Sequence, residues 1–131
     1  MTVVVVCAIL IDPDGAVFIA QRSDSKFWEF PGGKIEQGET ELVALQREMR
    51  EELNVDGGQY AFQYFGDSRW VKGEKEIHLK AYMAKVAKRP EITLIDHLQF
   101  TWVKPSELTQ WSMTPADQSL VQELMGWATK S

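Results

Sequence analysis

The chain has 131 residues, a formal net charge of −5, 44% hydrophobic and 25% charged residues, and one cysteine. That length supports one domain over residues 1–131 with its own core, and the acidic balance argues against general electrostatic binding to nucleic acid polymers or membranes. A lone cysteine excludes an internal disulfide and fits a reducing, cytoplasmic setting.

From Val3 to Ile11 the chain reads VVVVCAILI. This run is too short to span a membrane and suits a central strand buried on both faces. Cys7 inside it is expected to be an inert core thiol. Asp12-Pro13-Asp14-Gly15 has turn chemistry, and Val17 to Gln21 returns as the second strand of a hairpin. Arg22 closes that strand, either as a solvated edge charge or as a cation facing a site. After a polar loop from Ser23 to Phe27, Trp28-Glu29-Phe30 forms a short extended piece, because Pro31 biases Phe30 away from helix.

Gly32-Gly33 then leads into a helix. Leu42, Leu45, Met49 and Leu53 fall within about 80° of one another and form a core-facing stripe. Glu41, Glu48, Glu51 and Glu52 share a second face, with Arg47 within pairing reach of Glu51. Ala44 lies among these acids and leaves room for something to approach. Clustered carboxylates are either a solvated acidic face or a site for a hard divalent cation, because oxygen donors suit Mg²⁺ or Mn²⁺ and argue against zinc. Glycines that can bring backbone groups close to the same face favour the second reading.

Beyond Val55, Asp56-Gly57-Gly58 turns the chain and Gln59 to Ser68 reads as a strand. Lys72 to Lys75 reads as a hairpin loop and Glu76 to Val86 as the return strand. There Ile77, Leu79, Ala81 and Met83 alternate with His78, Lys80 and Tyr82, one face buried and one wet. His78 is a strand-face polar residue on this reading, and Arg69 an edge charge or a ligand contact. Ala87 to Ile95 is loop. His97 to Val103 is a further strand, with Leu98, Phe100 and Trp102 on one side and His97 and Thr101 on the other. Pro105 starts a short helical turn. Thr114-Pro115-Ala116-Asp117 opens the last helix as a capping-box-like start, and Leu120, Val121, Leu124, Met125 and Ala128 pack it on the sheet. Asp117 thus has a structural role as a cap partner.

The stretch from Gly33 to Val55 resembles the signature of the Nudix hydrolases: glycine, five residues, glutamate, seven residues, Arg-Glu, an aliphatic, any residue, Glu-Glu, any residue, glycine, an aliphatic. Gly33, Glu39, Arg47, Glu48, Met49, Glu51, Glu52 and Val55 occupy those positions. Asn54 stands where the last glycine belongs, at a left-handed helix end that asparagine tolerates. The segment WEFPGGK is similar to MutT-type members, and MTPADQSLVQELM to MutT-like and CTP-pyrophosphohydrolase-like members. The resemblance runs from Val3 to Met125 and implies an α/β Nudix fold, a mixed sheet sandwiched between helices (α/β/α).

It also implies a chemistry. Mg²⁺, with Mn²⁺ as a substitute, is expected on Glu48, Glu51 and Glu52 and a carbonyl of Gly32, with Arg47 orienting Glu51 or a neighbour. Glu39 holds a metal water or only the turn. The general base is Glu48, Glu51 or Glu52, or a late-loop acid, Glu91 or Asp96. Arg22, Glu29, Phe30 and Lys34 are expected substrate contacts, and Asp117 the reader of the base edge, where a carboxylate accepts from an exocyclic amine. Water attack on the inner β-phosphorus of a nucleoside triphosphate would give the monophosphate and pyrophosphate. The implied role is nucleotide-pool sanitation and DNA repair, on 8-oxo-dGTP or on CTP or 5-methyl-dCTP. A monomer or weak homodimer is expected. The alternatives are action on another nucleoside diphosphate derivative, or a catalytically silent nucleotide-binding module.

Overall fold

The computed structural model describes residues 1–130. Seven strands form one mixed sheet: β1 (Thr2–Ile11), β2 (Val17–Gln21), β3 (Trp28–Glu29), β4 (Gly32–Lys34), β5 (Gln63–Lys72), β6 (Lys75–Lys85) and β7 (Gln99–Val103). The order is β3-β2-β1-β6-β5, with β4 also paired to β1 and β7 to β2. β1 and β6 run parallel, in register from Thr2 with Glu76 to Ile11 with Lys85. Helix α1 (Glu41–Leu53) and helix α2 (Pro115–Lys130) cover opposite faces.

The alternation of β1 builds both halves of the core. Val6, Ala8 and Leu10 face α1 beside Phe18 and Ala20 of β2 and Leu45, Met49 and Leu53 of the helix. Cys7, Ile9 and Ile11 face α2 beside Ile19, Phe30, Leu120 and Leu124. A strand covered on both sides reads as an unbroken apolar run, as this one does. Each of the buried leucines contributes roughly 1.5–3 kcal/mol of apolar transfer.

The expected α/β/α sandwich is present, and several local expectations are corrected. In α1 the buried residues are Ala44, Leu45, Met49 and Leu53, whereas Leu42 is exposed. Ala44 is core, not an opening among the acids. The strand expected from Gln59 starts only at Gln63, because Gly57–Gln59 is a 3₁₀ turn in which Asp56 accepts from the Gly58 N–H. The polar face of β6 is not simply wet: Lys80 and the Tyr82 hydroxyl both donate to Glu41 at the start of α1. That contact draws Glu41 away from the other acids of its helix. His78 stays on the strand face, 2.6 Å from Asp67, and Arg69 pairs with Glu76 across the β5–β6 ladder. The last strand begins at Gln99, so His97 lies in the preceding loop.

Candidate active site

The two glycines at the start of the site are required for different reasons. Gly32 pairs with Cys7 of β1, and a Cβ there would lie 1.9 Å from the Val6 carbonyl oxygen. A Cβ on Gly33 would lie 2.4 Å from Cδ of Glu48, so the Glu48 carboxyl rests directly on the bare backbone. The Gly32 N–H donates to Glu52 Oε1 at 3.0 Å. Strand β4 thus receives two carboxylates projecting from consecutive turns of α1.

Thr40 caps α1, accepting from the Val43 N–H, and Asn54 ends it at φ 56°, ψ 39°. The Asn54 and Val55 N–H groups return to the Arg50 and Met49 carbonyls, a left-handed helix stop. Between those ends Arg47 is the hub. Its guanidinium donates to both oxygens of Glu39 (2.7 and 3.0 Å), to Glu48 (2.9 Å), to Glu51 (3.0 Å) and to the Lys34 carbonyl (3.0 Å). Glu39 also accepts from the Glu36 N–H, so here it braces the turn between β4 and α1. The acids around Arg47 hold its guanidinium firmly protonated, Glu39 most of all.

A second group of residues meets Glu52 from the opposite side. Arg22 at the end of β2, Glu29 of β3, and Asp96 and His97 of the loop before β7 line a cavity of about 100 Å³ together with Ser23, Asp24 and Glu52. Glu29 accepts from Arg22 through Oε1 at 3.1 Å, and its Oε2 lies 2.8 Å from His97 Nε2. Burial pushes the Glu52 carboxyl up to about 8; Glu29 and Glu48 add to this, against His97 and the Gly32 N–H. Burial raises Glu48 too, opposed by Arg47. The bond to Glu29 raises His97.

The expected site residues therefore fall into two sets. Glu48 and Glu51 turn to Arg47, while Glu52 turns to Gly32, and its free side faces Glu29 and His97, the three ligand atoms lying within 4.8 Å of one another. Asp96 reaches this cavity, whose lining does not include Glu91. Lys34 is exposed, and its carbonyl rather than its ammonium serves Arg47. Phe30 is core at 2% exposure, and its N–H donates to Asp117 Oδ2 at 3.1 Å. Asp117 is itself buried, and burial pushes its carboxyl up to about 7, Glu29 adding to the shift. It ties the start of α2 to the end of β3. His97 was missing from the sequence-based set: a lone histidine in a loop has no periodicity to mark it, and the only signal was the adjacent pair Asp96-His97 before an apolar strand.

Known proteins carry the same framework. The model of the NUDIX domain matches residues 1–124. The CTP pyrophosphohydrolase of Escherichia coli K12 is 34% identical over 131 residues, spanning 95% of this chain and 93% of that protein. A protein named putative 8-oxo-dGTP diphosphatase 2 from Mycobacterium tuberculosis H37Rv is 36% identical over 98 residues, 74% of this chain and 67% of its own length. The solution structure of the E. coli ORF135 protein superposes with a TM-score of 0.85 at 31% identity, over 98% of this chain and 92% of that one. A family model that spans every strand, all of α1 and the first part of α2, joined to a relative of near-equal length, leaves one assignment: the chain belongs to the Nudix hydrolase family.

Proposed function

We propose that the chain is a Mg²⁺-dependent pyrophosphohydrolase of nucleoside triphosphates that releases the monophosphate and pyrophosphate. The pair of carboxylates on β4 carries this reading. Glu48 and Glu52 are 15% and 20% exposed, sit against the glycine turn, and are both raised by burial. Carboxylates so placed ionise readily only beside a cation. An all-oxygen donor set fits a hard ion, Mg²⁺ or Mn²⁺. Glu48, Glu51 and Glu52 would hold it, with Gly32 contributing its carbonyl. When bound, the ion neutralises phosphate oxygens and acidifies a coordinated water.

The other steps fall to the chain's own side chains. Arg47 orients Glu48 and Glu51 through its guanidinium and offsets part of their negative charge. Arg22 offers donors to a phosphate from the far wall of the cavity. Of the acids expected as general base, Glu52 and Asp96 line the cavity, and the proton of the attacking water goes to one of these two in its ionised form. The wall carries Asp24, Glu29, Glu52 and Asp96 against Arg22 and His97. A triphosphate therefore enters only with its cation.

For the base, Asp117 supports an amine-bearing ring such as cytosine. A carboxyl near 7 is an acceptor above neutrality, and a relative named CTP pyrophosphohydrolase agrees with that preference. The relative named for 8-oxo-dGTP keeps an oxidised purine on the same panel.

The test is turnover of CTP, 5-methyl-dCTP, 8-oxo-dGTP and dATP with Mg²⁺ and with chelator, products resolved by chromatography. Monophosphate and pyrophosphate should appear only with metal, and Glu52→Gln should lose at least about 100-fold in kcat. Cytosine nucleotides should lead the panel. No turnover of any triphosphate would sink the proposal and direct attention to other nucleoside diphosphate derivatives, then to a silent binding module.

A further inference from the structure

One buried polar group stands outside the machinery proposed above. The His97 imidazole is 5% exposed, with Nε2 2.8 Å from Glu29 Oε2 and 3.9 Å from Glu52 Oε2. Its loop is stitched to both sides of the site. The Ile95 N–H donates to the Glu52 carbonyl at 3.2 Å, and the Leu98 N–H to the Gln21 carbonyl at 3.0 Å. The loop is thereby a strut between the end of α1 and the end of β2, and it holds the ring between Glu29 and Glu52.

We infer that His97 is a positioning residue that, through Glu29, fixes the Arg22 guanidinium at the mouth of the cavity and so sets the affinity for a triphosphate. The inference rests on the reading of this site as a nucleoside triphosphate site. Both oxygens of Glu29 are taken, Oε1 by Arg22 Nη1 and Oε2 by His97 Nε2. A carboxylate only accepts, so Nε2 carries a proton and donates.

Arg22 has a second carboxylate partner in Asp24, bonded at 2.9 and 2.8 Å, but Asp24 is 66% exposed. Such a pair in water fixes little. Glu29, at 14% exposure, is the firmer anchor. Of the five guanidinium N–H groups, three are used in these bonds, which leaves two for an anion. Without His97, Glu29 Oε2 loses the donor that holds it, and its neighbour within 4.8 Å is the Glu52 carboxyl. Glu29 is then free to swing outwards, and Arg22 with it. A metal-ligand role accounts for fewer of these contacts: a ligating histidine gives its other ring nitrogen to a fixed acceptor, and Nδ1 of His97 has no partner.

Steady-state kinetics on the preferred triphosphate, with Arg22 Nε–H NMR on the metal-free protein, test this. His97→Ala should raise KM about tenfold and leave kcat within about threefold. Glutamine places its amide nitrogen near Nε2 and asparagine near Nδ1, so His97→Gln should restore KM to within about threefold and His97→Asn should not. Combining His97→Ala with Arg22→Ala should raise KM no further than Arg22→Ala alone, because the two act in series. The Arg22 Nε–H resonance should be sharp in wild type and His97→Gln, and broadened in His97→Ala. Multiplicative effects in the double variant, or loss of kcat at unchanged KM, would overturn the inference. So would a lower Tm with normal kinetics. If the wild type hydrolyses no triphosphate, the functional reading fails on its own. The Arg22 resonance then decides the positioning role: unchanged in His97→Ala, it overturns that role too.

Discussion

Two adjacent glycines show how little space separates a structural requirement from a chemical one. At Gly32 an added methyl would meet backbone, the Val6 carbonyl, at 1.9 Å; at Gly33 it would meet the Glu48 carboxyl at 2.4 Å. Backbone in a paired central strand cannot yield, whereas a side chain can rotate away. Gly32→Ala is therefore expected to lose about 3 kcal/mol or more of stability and to be poorly folded. Gly33→Ala is expected to fold within about 1.5 kcal/mol of wild type yet lose most of its activity, because Glu48 is pushed off β4. Urea unfolding and kcat on the same samples separate the two. Equal loss of stability in both variants would contradict the distinction. The signature pattern marks only the second of these glycines; the reason for the first lies in its partner strand, which no local spacing reveals.

Helix α1 shows what was legible at the level of an element and what was not. Three of its four expected core positions follow from the spacing of its apolar residues, and its end at Asn54 from the signature; the cap at Thr40 was not read from the sequence. The misplaced residues, Leu42 and Ala44, have different causes. On an ordinary amphipathic helix the apolar stripe marks the inward face, but here Glu48 and Glu52 also point inwards, onto β4, so the buried face widens to take in Ala44 on the far side of those acids. Leu42 shares the angle of Met49 and Leu53 but sits in the first turn of the helix, where it is exposed. A functional helix that buries charge deceives a hydrophobic reading for that reason. Asn54 is the departure from the signature that the structure explains: at φ 56° it performs the stop that glycine performs elsewhere. Asn54→Ala should cost about 1 kcal/mol in urea unfolding, while Asn54→Gly should match or exceed wild type, since glycine has no Cβ to strain in this region and asparagine tolerates it better than alanine. If alanine proved as stable as glycine, the left-handed stop would not be what ends this helix.

At the scale of the whole molecule, the fold buries raised carboxyls from both helices, Glu48 and Glu52 of α1 and Asp117 of α2, and this couples folding to pH. The central strand and the two helices were legible, the first from its unbroken apolar run and the others from apolar residues at helical spacing. The convergence of Glu52 from α1 on Glu29 from β3 and on His97 from a loop was not, since it depends on how β2, β3 and β7 pair. Glu52 rises from an ordinary 4.5 to about 8 and Asp117 from 3.8 to about 7, burial being the main cause in both. A carboxyl whose pKa is raised by folding holds its proton longer in the native state. Its contribution is fully present below the unfolded value and is lost as pH rises through the folded one. Stability of the metal-free protein is therefore expected to fall from about pH 5 to pH 8, with a slope of about 1.4 kcal/mol per pH unit for each proton released. A bound cation favours the ionised form, so Mg²⁺ should raise Tm by several degrees at pH 8 and much less at pH 5.5. Glu52→Gln removes one of the two titrations and a proposed ligand together, so it should flatten the pH slope and shrink the Mg²⁺ shift. Thermal unfolding of both proteins at pH 5.5 and 8, with chelator and with Mg²⁺, measures all of this at once. A metal-free wild type that grows more stable towards pH 8 would mean that Glu52 is ionised without help, and the electrostatic case for a cation at this helix would fall.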